Sequence, residues 1–135
     1  MRRRFALLLI PVALVLLYFR PRVPVERSLS IHFGARAPAL RQAGQELIGA
    51  AGSTQRGSAA FAVRQGASRS FESVSALLED NDVHIVWVAS PNHLHYTHVR
   101  QALLAGKHVL AEKPLATHAE EAAELATLAD QLGLK

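Results

Sequence analysis

The sequence predicts an α/β fold in which a parallel sheet is flanked by helices. From about residue 31 onward, short apolar runs alternate with helical patterns, which is typical of βαβ units. The run from Val83 to Ser90, "VHIVWVAS", is rich in β-branched residues and nearly continuous, as expected of a strand buried on both faces. The length of 135 residues favours a single domain.

The first elements of this alternation have clear ends. Glu46 to Ala51, "ELIGAA", is predicted to be a strand, and the helix "RGSAAFAVRQG" should stop at Gly66. Ser73 is placed to cap the short helix that follows, and Asp80 to Asp82 form a predicted turn. Trp87 interrupts the β-branched run and is predicted to lie in the core.

Two longer helices are predicted in the second half of the chain. The first covers "NHLHYTHVRQALLAG", with Asn92 as its candidate cap and Gly106 as its stop. The second should begin at a capping box formed by Thr117 and Glu120 and should end at Gly133.

Between these helices lies the predicted strand "HVLAE", His108 to Glu112, and the charged residue Lys113 follows it directly. Pro114 cannot continue a hydrogen-bonded ladder, so Lys113 is predicted at the carboxyl end of a parallel strand. In open α/β sheets that edge is where ligands bind. Lys113 is therefore the first candidate functional residue.

Residues 1–30 are predicted to be separate from the domain that covers residues 31–135. An uncharged run, Phe5 to Phe19, lies between two arginine clusters and contains Pro11. Three interpretations stay open: a secretory signal, an uncleaved membrane anchor that contacts the bilayer through residues 5–19, and a non-native replacement of the normal N-terminus. A genuine signal or anchor would place the protein at or beyond a membrane.

Composition excludes some kinds of site and partner. The chain has no cysteine, which rules out disulfides and thiolate metal sites. From Ile31 onward there are nine basic and ten acidic residues, a net charge of −1, so the positive footprint of a nucleic-acid-binding domain is absent.

Two motifs in register resemble the nucleotide-binding domain of the Gfo/Idh/MocA oxidoreductases, the group of glucose-fructose oxidoreductase and inositol dehydrogenase. The first is a T/S-P-N-x-x-H turn, present as Ser90, Pro91 and Asn92 with His95. The second is A-G-K-H-V-x-x-E-K-P, present as Ala105 to Pro114. A looser likeness extends back to about Gly34 and covers roughly three quarters of the chain.

The resemblance implies a Rossmann-like domain that binds NAD or NADP in a cytoplasmic enzyme acting on a sugar, polyol or related alcohol. It places the lysine of E-K-P, Lys113, beside the nicotinamide and the substrate as the catalytic candidate. It also implies cofactor contacts from both motifs, namely from Ser90, Pro91, Asn92, His95, Glu112 and Lys113. Glu112 has a simpler alternative role as an ion-pair partner of Lys113.

The sequence departs from the family pattern in two places. The expected glycine-rich turn after the first strand is represented by Gly34 alone, so the first strand and its turn are predicted to be incomplete and pyrophosphate binding weak. The chain ends at Lys135, so the family's C-terminal substrate domain is expected to be absent.

The end of the second strand suggests which cofactor is preferred. Ser53 and Thr54 stand there with no Asp or Glu to bind a ribose 2′-hydroxyl, and Arg56 is close enough to favour a 2′-phosphate. The sequence therefore predicts Gly34, Ser53, Thr54 and Arg56 as further cofactor contacts, with a slight preference for NADP.

The pattern "NHLHYTH" also raises the question of a metal site. On a helix His95 and His98 share a face, but His93 points elsewhere and no carboxylate lies nearby, so no metal is predicted. The leading functional hypothesis is an incomplete NAD(P)-dependent oxidoreductase. The alternatives are a non-catalytic cofactor-binding or membrane-anchored scaffold domain and an inactive gene remnant.

Overall fold

The computed structural model describes residues 3–7, residue 42 and residues 44–135. The strands in this part of the chain are β1 (Arg3–Leu7), β2 (Gln45–Leu47), β3 (Gly49–Ala51), β4 (Arg69–Phe71), β5 (Ile85–Val88) and β6 (His108–Ala111). The longer helices are α1 (Gln55–Gln65), α2 (Val74–Glu79), α3 (Asn92–Leu104) and α4 (Ala119–Leu132).

Every strand pair in the described residues is parallel. Four strands follow the order β2, β1, β5, β6, and β3 pairs separately with β4. Only Ile48 separates β2 from β3, so one stretch of chain takes part in both sheets. The Rossmann-like α/β prediction is confirmed, and β5 lies inside the sheet between β1 and β6, as its nearly continuous apolar sequence requires.

The N-terminal strand corrects the prediction that residues 1–30 stand apart from the domain. Arg3–Leu7 forms β1, which pairs with β2 on one side and β5 on the other, so this interpretation is wrong for these five residues. The sequence was misleading because the last three residues of this strand, Phe5 to Leu7, also begin the uncharged run that resembles a membrane or signal segment. The prediction that the first strand is incomplete is also corrected, because Arg3–Leu7 supplies a strand that pairs on both sides.

The rest of residues 1–30, and Gly34, lie outside the described residues. Within residues 3–7, 42 and 44–135, no helix has the length and apolar character needed to cross a bilayer.

The core lies between β5 and the helices. Val86 and Val88 are fully buried and Trp87 is 5% exposed, so its predicted core position is confirmed. Leu103 from α3 and Leu125 from α4 join the same cluster at 2% exposure each. Burial of side chains of this size contributes about 1.5–3 kcal/mol each.

Several predicted helix ends are confirmed. Ser73 caps α2 as predicted, by accepting a hydrogen bond from the backbone N–H of Ala76 at 3.0 Å. Thr54 caps α1, which was not predicted from the sequence. Gly66 and Gly133 end α1 and α4 in the left-handed conformation that glycine adopts without a steric cost.

Two predicted N-caps are wrong. Asn92 is the first residue of α3 rather than its cap, because the preceding residue, Pro91, already directs its carbonyl to the N–H of Leu94 at 2.8 Å. The helix α4 begins only at Ala119, and Glu121 instead of Glu120 reaches back to the backbone N–H of Thr117, at 3.2 Å.

Candidate functional site at the carboxyl ends of the strands

The two motif segments are adjacent where β5 and β6 end. Val88 and Ala111 are register partners, and the N–H of Glu112 continues the ladder by donating to the carbonyl of Val88 at 2.8 Å. The turn that begins at Ser90 and the segment that contains Lys113 therefore leave the sheet side by side. Lys113 is exposed at this edge.

His95 connects these two segments from the first turn of α3. Its side chain is 1% exposed, and its Nε2 lies 2.7 Å from the carbonyl oxygen of Ser90. Its Nδ1 contacts the carbonyl oxygen of Pro114, the residue after Lys113. One buried ring therefore bridges the backbone after β5 and the backbone after β6.

A second histidine contacts the same serine. Nδ1 of His98 lies 3.1 Å from the side-chain oxygen of Ser90, one turn further along α3. Burial, followed by the nearby rings of His95 and His93, lowers the pKa of His98 below its usual value. Ser90 is itself buried, with 7% exposure.

These contacts show how the histidines of "NHLHYTH" are arranged. His95 directs both ring nitrogens at backbone carbonyls, and His93 is exposed on α3. In residues 3–7, 42 and 44–135, no three His, Asp or Glu side chains form a group that could hold a metal ion.

The other predicted cofactor residues lie at the end of β3. Ser53, Thr54 and Arg56 are exposed there, and Oγ1 of Thr54 accepts a hydrogen bond from the N–H of Gly57 at 3.1 Å. This contact leaves the hydroxyl proton of Thr54 available for donation. The position is the carboxyl end of a parallel strand, the same edge that carries Lys113.

The predicted site residues thus fall into two groups rather than one. Ser90, His95 and the segment from Glu112 to Pro114 come together, whereas Ser53, Thr54 and Arg56 lie beyond β1. The chain order of the strands reverses at β1, and in open α/β sheets the ligand crevice lies at such a point.

The sequence after β1 lacks the glycines expected at the turn that follows the first strand of a dinucleotide-binding sheet. The sequence that follows Leu7 continues "LLIPVALVLLYF", and the first glycine after β1 is Gly34. Glycines at this turn normally let the backbone approach a pyrophosphate. The residues present here supply no such fingerprint.

Sequence reasoning missed two contacts of this site. The contact of His98 with Ser90 joins residues eight positions apart in the sequence. The contact of His95 with Pro114 joins residues 19 positions apart. The five-residue spacing of Ser90, just before the helix, and His95, in its first turn, was the only sequence signal for the contact between them.

Comparison with known proteins identifies the kind of domain to which this edge belongs. The profile of a family described as "Oxidoreductase family, NAD-binding Rossmann fold" (GFO_IDH_MocA) matches residues 32–135. The chain belongs to this Gfo/Idh/MocA family. The resemblance carried by the two motifs is therefore confirmed, and a nicotinamide dinucleotide is the cofactor class of the matched domain.

Individual members of the family support the same assignment. The chain is 38% identical over 96 residues to the 1,5-anhydro-D-fructose reductase of Ensifer adhaerens, which is 71% of this chain and 29% of that protein. The solved NAD binding oxidoreductase of Klebsiella pneumoniae superposes with a TM-score of 0.75 at 30% identity, over 98% of this chain and 33% of that one.

A third family member was solved with its cofactor. The 3-ketoreductase KijD10 of Actinomadura kijaniata, in complex with NADP and TDP-benzene, superposes with a TM-score of 0.69 at 39% identity. The match covers 73% of this chain and 30% of that one. The chain thus spans about a third of the length of the relatives it matches.

Proposed function

We propose that this chain is the cofactor-binding part of an oxidoreductase that transfers hydride between NADP or NAD and a sugar, polyol or related alcohol. The observation that carries the proposal is the exposed Lys113 beside the Ser90 turn, at the carboxyl edge of a parallel sheet. A 1,5-anhydro-D-fructose reductase and a 3-ketoreductase among the relatives support a sugar-like substrate.

The residues at the end of β3 suit the adenosine end of the cofactor. Ser53 and Thr54 offer exposed hydroxyls, and Arg56 offers a guanidinium with five N–H donors that match a phosphate. No Asp or Glu follows β3 before α1 to bind a free ribose 2′-hydroxyl. These groups favour NADP, the cofactor in the KijD10 complex.

The second group suits the nicotinamide end. Ser90, Pro91 and Asn92 on one side, and Glu112 and Lys113 on the other, border the edge where β5 and β6 stop. The bound dinucleotide would supply or accept the hydride. The ammonium of Lys113 would donate a hydrogen bond to the substrate oxygen and stabilise the negative charge that develops on it.

Titration of the full chain with NADPH and NADH, followed by nicotinamide fluorescence, tests this proposal. We expect saturable binding that is weaker than micromolar, because the sequence after β1 contains no glycine before Gly34, where several glycines are usual directly after the strand. NADPH should bind more tightly than NADH, and Arg56→Ala should remove most of that preference. Arg64→Ala, at an exposed position near the end of α1, is the matched control.

Each outcome of the titration has a clear meaning. No saturable binding of either dinucleotide would contradict the proposal. Equal binding of both, unchanged by Arg56→Ala, would contradict the preference for NADP. Sub-micromolar affinity would show that the missing glycines matter less than we expect.

A further inference from the structure

The two contacts of the His95 ring join the backbone at Ser90 to the backbone at Pro114, the residue after Lys113. We infer that His95 is a positioning residue for Lys113, because it ties the backbone that carries this lysine to the Ser90 turn. The inference rests on the proposed function for the use that is made of Lys113. The two contacts themselves join His95, Ser90 and Pro114, and they do not depend on the proposed function.

The segment that carries Lys113 is held by contacts on both sides of the lysine. Before the lysine, the N–H of Glu112 is bonded to the carbonyl of Val88. Pro114 has no N–H to donate, so His95 holds the segment through the Pro114 carbonyl. Lys113 therefore lies between one backbone contact to β5 and one side-chain contact from α3.

The histidine is better fixed than the segment it holds. His95 is 1% exposed within α3, a helix of 13 residues that also contributes Val99, Ala102 and Leu103 to the core. Pro114 and Lys113 are exposed. Since the buried partner is the rigid one, the contact determines where the segment lies, and the ammonium of Lys113 follows.

Two substitutions separate the two contacts of the ring. The side-chain nitrogen of asparagine occupies nearly the place of histidine Nδ1, and that of glutamine nearly the place of Nε2. His95→Asn therefore places an amide donor toward Pro114, and His95→Gln places one toward Ser90. If the Pro114 contact positions Lys113, the asparagine variant should rescue what the glutamine variant loses.

The first measurement is backbone hydrogen exchange of residues 112–118 in the full chain without cofactor. His95→Gln should accelerate exchange of this segment about fivefold or more. His95→Asn should stay within about twofold of the original protein. His98→Asn is the matched control, because His98 contacts Ser90 but not Pro114, and it should leave residues 112–118 unchanged.

Equal acceleration in both His95 variants, or none in either, would overturn the inference. If the glutamine variant fails to fold, the asparagine variant still decides, because loss of protection at residues 112–118 in that variant is incompatible with the Pro114 contact as the anchor.

The second measurement separates the inference from the proposed function. NADPH titration of the original chain tests the proposed function alone, whereas exchange without cofactor tests the bridge alone. When NADPH does bind, His95→Gln should weaken it by a larger factor than His95→Asn. The reverse order would mean that the Ser90 contact matters and that His95 does not act through Lys113.

Discussion

The ammonium nitrogen of Lys107 lies 2.8 Å from the carbonyl oxygen of Val83 and 2.9 Å from that of Asp80. Lys107 is 8% exposed, and burial lowers its pKa below the usual value for lysine. Lys113 belongs to the same A-G-K-H-V-x-x-E-K-P motif but is exposed at the opposite end of β6. The two lysines of one motif therefore have different surroundings and different consequences when replaced.

Replacement of Lys107 should destabilise the fold. Lys107→Met removes both hydrogen bonds and leaves two carbonyls without this donor, a loss of about 1–3 kcal/mol in the free energy of unfolding. Urea denaturation measures it, with Lys135→Met at an exposed position as the control. Equal, small changes at both positions would mean that the buried ammonium contributes nothing.

Replacement of Lys113 should leave stability nearly unchanged. Lys113→Met should alter the unfolding free energy by no more than about 0.5 kcal/mol, as is usual at exposed positions. In a complete oxidoreductase that contains this domain, the same change should lower kcat by about 10²–10³, the typical effect of removing one preorganised donor. Steady-state kinetics beside Lys135→Met provide the comparison, and an undiminished kcat would mean that Lys113 has no catalytic role.

Stability should decrease below neutral pH because of three histidines. Burial, followed by the charges of Lys107 and His108, lowers the pKa of His84 to about 3, and burial also lowers the pKa values of His98 and His108. These rings bind protons more readily in the unfolded chain. Their contribution is complete above the unfolded pKa of about 6.5 and is lost as the pH falls toward 3.

Urea midpoints between pH 8 and pH 4 measure this effect. His84→Gln should reduce the pH dependence by up to one proton per molecule, and comparison at pH 8 isolates the packing change alone. A variant with the same pH dependence as the original protein would show that His84 is not one of the groups responsible.

Gly49 should not tolerate a larger side chain. A Cβ at this position would lie 2.5 Å from Cε2 of Phe71 and 2.9 Å from the backbone oxygen of Arg69, where β3 and β4 pair. Gly49→Ala should therefore cost about 1–3 kcal/mol, the usual effect of overpacking. The comparison is Gly57→Ala, whose Cβ would lie 2.9 Å from the side-chain oxygen of Thr54 but would meet no strand backbone, and thermal unfolding that ranks the two variants equally would refute the argument.

The sequence was sufficient to predict the alternation of strands and helices wherever the signal was local. Ser73, Gly66 and Gly133 mark helix ends through their own backbone and side-chain chemistry, and the structure confirms all three. Trp87 was predictable because the β-branched run around it already indicated a buried strand.

Features that depend on distant partners were not predictable in this way. The strand Arg3–Leu7 is defined by its neighbours β2 and β5, whereas its sequence, two arginines followed by the start of an apolar run, resembles a membrane or signal segment. The contact of His95 with Pro114 joins residues 19 apart, and the bend of the chain at Pro114 determines whether they meet.

The position of β1 also affects how the chain can fold. Ala6 pairs with Val86, about 80 residues later, and Arg3 pairs with Gln45, about 40 residues later. Such pairs form only after a long loop has closed, and the entropy cost of closing it comes before the favourable energy of the contacts, which slows folding. During synthesis β1 must wait for both of its neighbours to emerge, and until β5 has been made one of its edges stays unpaired and open to association with other chains.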